Sequence, residues 1–228
     1  MKQIAVVILN WNGAALLERF LPTVIKNSGE IAHIYVADNG STDSSKELLN
    51  TKFPQVSIIE MPFNKGFAGG YNLALKDLNE PLFCLLNSDV APSENWLNPI
   101  ITAFKSDPQL AIAQPKILDE LKKTHFEYAG AAGGYLDALG YPFCRGRIFQ
   151  DIEEDLGQYN DSIEVFWATG ACMFIRNEVF NRLNGFDESY FAHQEEIDLC
   201  WRAKNLGYKV MYLGNSTVYH LGGSTLSN

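Results

Sequence analysis

Residues 82–89, Leu-Phe-Cys-Leu-Leu-Asn-Ser-Asp, run apolar for five positions and end in a polar triplet closed by a carboxylate, Asp89. A run this short and this apolar reads as a buried strand of a parallel sheet. Ligands of open α/β sheets bind beyond the carboxyl ends of the strands, so Asp89 stands where such folds do chemistry. A carboxylate there suits a divalent cation. His220, which follows an apolar run and precedes Leu-Gly-Gly-Ser, adds an imidazole nitrogen. One oxygen and one nitrogen suit Mn²⁺, whereas Mg²⁺ favours oxygen. A lone histidine is more commonly a hydrogen-bonded structural residue; the two glycines after this one suggest a chain that approaches a ligand.

Three further constellations have both a chemical and a structural reading. Asp38 and Asp43 lie in Ala-Asp-Asn-Gly-Ser-Thr-Asp. Asp38 could accept the imide N–H of a pyrimidine, while Asp-Asn-Gly is also turn chemistry and Asp43 a helix cap. Asn-Lys-Gly-Phe-Ala-Gly-Gly-Tyr-Asn, residues 64–72, places glycines where a loop enters a helix. Helix N-termini favour anions, but this is neither a P-loop nor a dinucleotide fingerprint. Glu-Glu-Ile-Asp-Leu-Cys-Trp-Arg, residues 195–202, opens a helix. Acids there are stabilised by the dipole, which also keeps a general base ionised. Asp198 and Arg202 are spaced to pair.

The elements that must position these residues alternate. Strands are predicted over residues 4–9, 31–37, 56–61, 82–86 and 110–113. Helices are predicted over 14–27, kinked or split at Pro22, then behind a Ser44-x-x-Glu47 capping box, over 67–78, and after a Ser93 cap. This is βαβ organisation with a mostly parallel sheet. The period is lost after Pro115, and residues 119–163 read as irregular strands and loops over a sheet edge or cleft. A strand-like run over 165–175, helices near 177–183 and 195–206, and a strand over 208–213 complete the chain.

Twenty-seven acids against 18 bases give a net charge of -9, which argues against a nucleic-acid partner. It also makes a cation useful for holding a diphosphate. Cys84, Cys144, Cys172 and Cys200 form no Cys-x-x-Cys pair and read as buried free thiols of a reducing compartment. No apolar run reaches the roughly 20 residues of a membrane helix. The expectation is a cytoplasmic protein, with the inner face of the membrane left open. The end at Asn228, soon after the motif at residues 220–224, suggests that a C-terminal extension is missing.

Taken in order, these motifs, with Asn-Trp-Asn at residues 10–12, Ala-Thr-Gly-Ala-Cys-Met-Phe-Ile-Arg at 168–176 and Gly-Phe-Asp-Glu at 185–188, resemble the family 2 inverting glycosyltransferases. The rhamnosyltransferase-like branch is the nearest match. The resemblance implies one GT-A domain over residues 1–228, with a nucleotide-binding half to residue 115 and an acceptor and catalytic half from 116. It implies a UDP or dTDP sugar donor, and a glycan or lipid-linked saccharide acceptor in cell-surface polysaccharide synthesis. Leu9, Asn10, Asp38, Gly66, Asn72 and Ser88 would line the nucleotide site. Asp89 and His220 would hold Mn²⁺ or Mg²⁺, with Asn87 where the family's metal motif has its first acid. Glu196 would be the catalytic base, with Glu195 its close alternative. A phosphate or acceptor role is weighed for Arg145 and Arg147 against a solvated loop. The competing expectation is a binding module of the same fold that has lost turnover.

Overall fold

The computed structural model describes residues 2–190 and 193–222. Phe191, Gly223 and Ser224, which belong to the aromatic turn and the histidine loop read above, lie outside them. The first half alternates as its periodicity requires: β1 (Ile4–Asn10), α1 (Ala14–Ser28), β2 (Ala32–Asp38), α2 (Ser45–Lys52), β3 (Ser57–Glu60), α3 (Gly66–Leu75) and β4 (Leu82–Asn87). Then come β5 (Val90–Pro92), α4 (Leu97–Ser106) and β6 (Leu110–Asp119). Short strands fill the irregular stretch: β7 (Gly134–Leu136), β8 (Pro142–Cys144), β9 (Arg147–Ile148), β10 (Asp151–Ile152) and β11 (Ser162–Glu164). The chain closes with β12 (Cys172–Arg176), α5 (Asn177–Arg182), α6 (Glu195–Asn205) and β13 (Lys209–His220).

Among the described residues nine strands form one sheet, ordered β3-β2-β1-β4-β12-β6-β13-β11, with β5 paired to β13. The β1–β2, β1–β4 and β2–β3 pairs are parallel, as is β6–β13. Antiparallel pairs enter through β12, β11 and β5. Alternation sorts the core onto two faces. Ile4, Val6 and Ile8 pack with Leu17, Leu21, Leu49 and Ile100 of α1, α2 and α4. Ala5 and Val7 pack with Tyr71, Val179 and Leu199 of α3, α5 and α6.

Several local expectations are corrected. Pro22 does not split α1. It lies on the exposed face together with Glu18, where water can satisfy the carbonyl that loses its partner. Ser44 makes no side-chain cap. Asp43 does that work twice, accepting from Ser45 N–H at 3.0 Å and from Ala14 N–H at 3.0 Å. Ser93 caps nothing, because residues 90–92 are drawn into the sheet as β5, and Ser93 N–H bonds Thr217 O. The run at 165–175 is a strand only from Cys172, since Gly170 turns tightly beneath the Phe67 ring. The last strand extends to His220 through a register shift between Leu213 and Thr217.

Candidate active site

The strand ends of the first half gather the polar residues. Register sets Asn10 beside Asp38 and Leu9 beside Asn87, so β1, β2 and β4 end together. Asp38 is fully buried. Its carboxylate accepts from Asn10 Nδ2 at 3.4 Å and from Ser41 N–H at 3.2 Å, with Lys46 Nζ at 3.8 Å. Asn10 also reaches Ser41 Oγ at 3.2 Å, while its buried Oδ1 has no hydrogen-bond partner among the described residues. That orphan acceptor, the buried Ser88 and the half-exposed Trp11 form the rim of this edge. Leu9 is half-buried. A Cβ at Gly70 would stand 2.8 Å from Leu9 Cδ1, so α3 lies this close to β1 only because residue 70 is glycine.

Gly66 opens α3 at φ 70°, its N–H bonded to Asn64 Oδ1 and its carbonyl to Asn39 Nδ2. Asn72 does not point freely into this edge. Its amide bonds Phe186 N–H at 2.8 Å, Phe186 O at 2.9 Å and Glu188 at 3.0 Å. It braces α3 against the 185–188 turn, where Phe186 packs on Phe67, Tyr71 and Phe180. Sequence spacing alone gave no sign of that brace.

Asp89 and His220 meet. His220 Nε2 lies 3.1 Å from Asp89 Oδ1, and both side chains are buried. The route is topological: β13 runs parallel to β6 and pairs back onto β5, placing His220 opposite Val90. Leu221 N–H bonds Asp89 O at 3.1 Å. Burial would push the His220 pKa down, but the carboxylates of Asp89 and Glu127 on either side of the ring overcome it and raise it to about 10. Sequence reading missed Glu127, which lies in the aperiodic stretch.

A carboxylate and an imidazole are a chemically suitable pair for Mn²⁺. Among the described residues no group of three or more His, Cys, Asp or Glu gathers in a metal-holding arrangement. With two ligands from the chain, diphosphate oxygens and water would have to supply the rest. Asp89 and His220 fit a cation in that sense, although their direct contact must open to admit one.

The acidic pair begins α6 behind two left-handed residues, His193 (φ 70°) and Gln194 (φ 76°). Glu195 is buried, and among the described residues its Oε2 has no hydrogen-bond partner. Burial first, and the neighbouring Glu195 charge second, push the Glu196 pKa up to about 7, against a partial pull from the helix N–H groups. Asp198 and Arg202 pair at 2.7 Å as the spacing requires, and Arg202 also bonds Leu183 O and Gly185 O. Arg145 is not available to a phosphate: it is paired with Asp161 and stacked on Tyr159 and Tyr212. Arg147 stacks on Tyr128 and bonds Phe149 O. A cleft of about 530 Å³ lined by Asn98, Asp107, Met211 and Asn215 shares no residue with this edge. Cys84, Cys144, Cys172 and Cys200 are free and buried. Among the described residues no helix is long and apolar enough to cross a membrane.

With this geometry in place, the relatives agree. The model of Glycosyl transferase family 2 matches residues 5–183, and the chain belongs to that family. It is 26% identical to the N-acetylglucosaminyl-diphospho-decaprenol L-rhamnosyltransferase of Mycobacterium tuberculosis, over 94% of this chain and 75% of the relative. It is 42% identical to rhamnosyltransferase WbbL of Escherichia coli, over only 24% of this chain and 20% of the relative. Two solved structures share the GT-A fold. GalNAc-T7 with UDP, GalNAc and Mn²⁺ has TM-score 0.74 and 16% identity, over 96% of this chain and 43% of that one. The mannosyltransferase PcManGT of Pyrobaculum calidifontis with GDP-Man and Mn²⁺ has TM-score 0.68 and 15% identity, over 97% of this chain and 57% of that one. The chain thus spans about half the length of these solved proteins.

Proposed function

We propose that this chain moves a hexosyl group from a UDP or dTDP donor to a hydroxyl of a glycan or lipid-linked saccharide, with inversion, in cell-surface polysaccharide synthesis. The observation that carries the proposal is the meeting at 3.1 Å of Asp89 and His220, which lie more than a hundred residues apart in the chain. A cation held there would supply Lewis-acid neutralisation of the leaving diphosphate. Asp38 and the strand ends around Asn10 and Ser88 would receive the nucleoside. Glu196, near neutrality, would take the proton of the acceptor hydroxyl as it attacks the anomeric carbon. Attack opposite the leaving group inverts that carbon. A base with a pKa near the working pH suits this task, and Glu195 tunes it through its charge. The buried thiols fit a reducing compartment.

The second reading, a nucleotide-sugar-binding module without turnover, is favoured by Asn87, which leaves Asp89 as the one acid of its triplet. Thermal melting tests the donor site. UDP or dTDP at 100 times its Kd with Mn²⁺ should raise Tm by about 5 °C or more, and much less with EDTA. No metal-dependent shift with any nucleoside diphosphate would end the transferase proposal. A shift without sugar transfer or donor hydrolysis would favour the binding module.

A further inference from the structure

The chemistry above uses Asp89 and His220 and leaves a third buried acid beside them without a task. Glu127 is 5% exposed, and its Oε1 stands 3.5 Å from His220 Nδ1. The other ring nitrogen, Nε2, faces Asp89. Each nitrogen of the imidazole therefore has a carboxylate opposite it.

Glu127 is held in place for this. Its backbone N–H bonds Ile117 O of β6 at 3.1 Å, and its Oε2 takes the N–H of Ala129 at 2.6 Å. The other oxygen, Oε1, is the one nearest the ring. The chain leaving His220 passes directly over it. A Cβ at Gly222 would lie 3.2 Å from Oε1, and Gly222 adopts φ 65°, which favours glycine. His220 itself is pinned along its backbone, its carbonyl accepting from Glu120 N–H at 2.9 Å. What remains free is the rotation and tautomer of the ring. Among the described residues Nδ1 makes no hydrogen bond, and the Glu127 carboxylate at 3.5 Å is the group that faces it, so Glu127 is positioned to decide both.

We infer that Glu127 is a positioning residue for His220. It holds the Nδ1–H, fixes the ring, and reserves Nε2 for the Asp89 side, where the cation would bind. A carboxylate behind a ligating histidine raises ligand basicity and sets ring orientation, and its loss commonly weakens metal affinity 10–100-fold. The inference rests on the metal role proposed for His220, and its test separates the two.

The experiment compares wild type, Glu127→Gln and Glu127→Asp, the last keeping the charge while withdrawing it from the ring. Mn²⁺ affinity is measured by electron paramagnetic resonance with UDP present. Imidazole ¹⁵N shifts of His220 are measured without metal, and melting verifies the fold. Both variants should bind Mn²⁺ at least tenfold more weakly, with altered His220 shifts and an intact fold. Wild-type Mn²⁺ affinity in either folded variant overturns the inference, as do unchanged His220 shifts. If wild type itself binds no Mn²⁺ with UDP, the metal proposal fails. The ¹⁵N shifts alone then decide whether Glu127 governs the ring. Should Glu127→Gln not fold, Glu127→Asp carries the test.

Discussion

The donor-side edge and the stretch from residue 120 to 171 are built on opposite plans. On the donor side the loops after β1 and β2 are sewn together. Asn12 Oδ1 accepts from the N–H groups of Thr42 and Asp43, Asn12 N–H bonds Ser41, and Asp43 caps two helices. Asn39 ties the same edge to Asn64 and Gly66. The other region is two short hairpins, β7–β8 and β9–β10, whose turns carry apolar residues outward. Leu139 is 83% exposed and Phe149 86%. A surface that satisfies its own polar groups is preorganised and spends little ordering on binding. A surface that presents apolar tips leaves its completion to whatever meets it. We therefore propose donor recognition at the self-bonded edge and acceptor recognition at the hairpins and α6.

The largest effect should come from separating the two halves at the base. Glu196→Gln is expected to lower kcat by about 10²–10⁴ while leaving the UDP–Mn²⁺ melting shift intact. If Glu196→Gln transfers sugar and Glu195→Gln does not, the base is Glu195. Loss of the melting shift along with kcat would show that α6 also builds the donor site, and the comparison would break.

The same carboxyl has a signature in stability. Its folded pKa, about 7, lies above the ordinary value of 4.5, so the folded state binds the extra proton between those values. The associated stability is fully present below about pH 4.5 and is lost as pH rises through 7. At pH 8 the ionised Glu196 should cost on the order of 3 kcal/mol at most. Glu196→Gln should therefore melt higher than wild type at pH 8 and nearly equal to it at pH 4.5. In wild type, transfer should fall on the acid side of pH 7. Identical melting of the two proteins at both pH values would place the Glu196 charge outside the buried pair.

The packing of the donor side gives a smaller and purely structural effect. Gly70→Ala drives a methyl into Leu9, and overpacking of this kind costs about 1–3 kcal/mol. Denaturant midpoints should fall accordingly and UDP affinity should weaken, because Leu9 and Asn39 both border the new carbon. Unchanged affinity would detach Leu9 from the nucleotide site.

The two plans also explain what was legible in the sequence. Strands β1 and β4 are almost wholly buried on both faces, so they appear as unbroken apolar runs that stop at Asn10 and Asn87, two residues before Asp89; β2 exposes His33 yet closes on the buried run Val36-Ala-Asp38. Fold and donor edge follow from that pattern. The extension of β13 to His220 was hidden because Gly214-Asn-Ser interrupts its apolar run, and the gap is bridged by a register shift. Glu127 had no periodic neighbour to mark it. Its placement depends on the return of β13, a long-range pairing that spacing does not encode. Asn72 was assigned to the nucleotide from its motif, whereas its bonds go to a turn more than a hundred residues away.

The smallest effect tests the hairpins. Phe149 holds φ 54° with its ring in solvent. A left-handed conformation costs a bulky L-residue roughly 1–2 kcal/mol, and no packing of an exposed ring offsets that cost. Phe149→Gly should relieve the strain and raise stability by up to about 1 kcal/mol, the glycine losing part of the gain to chain entropy. On the acceptor-side assignment the same substitution should raise the acceptor KM without changing donor KM or UDP affinity. A stabilised variant with wild-type acceptor KM would remove this tip from the acceptor surface. A changed donor KM would show instead that the hairpins and the donor edge are coupled.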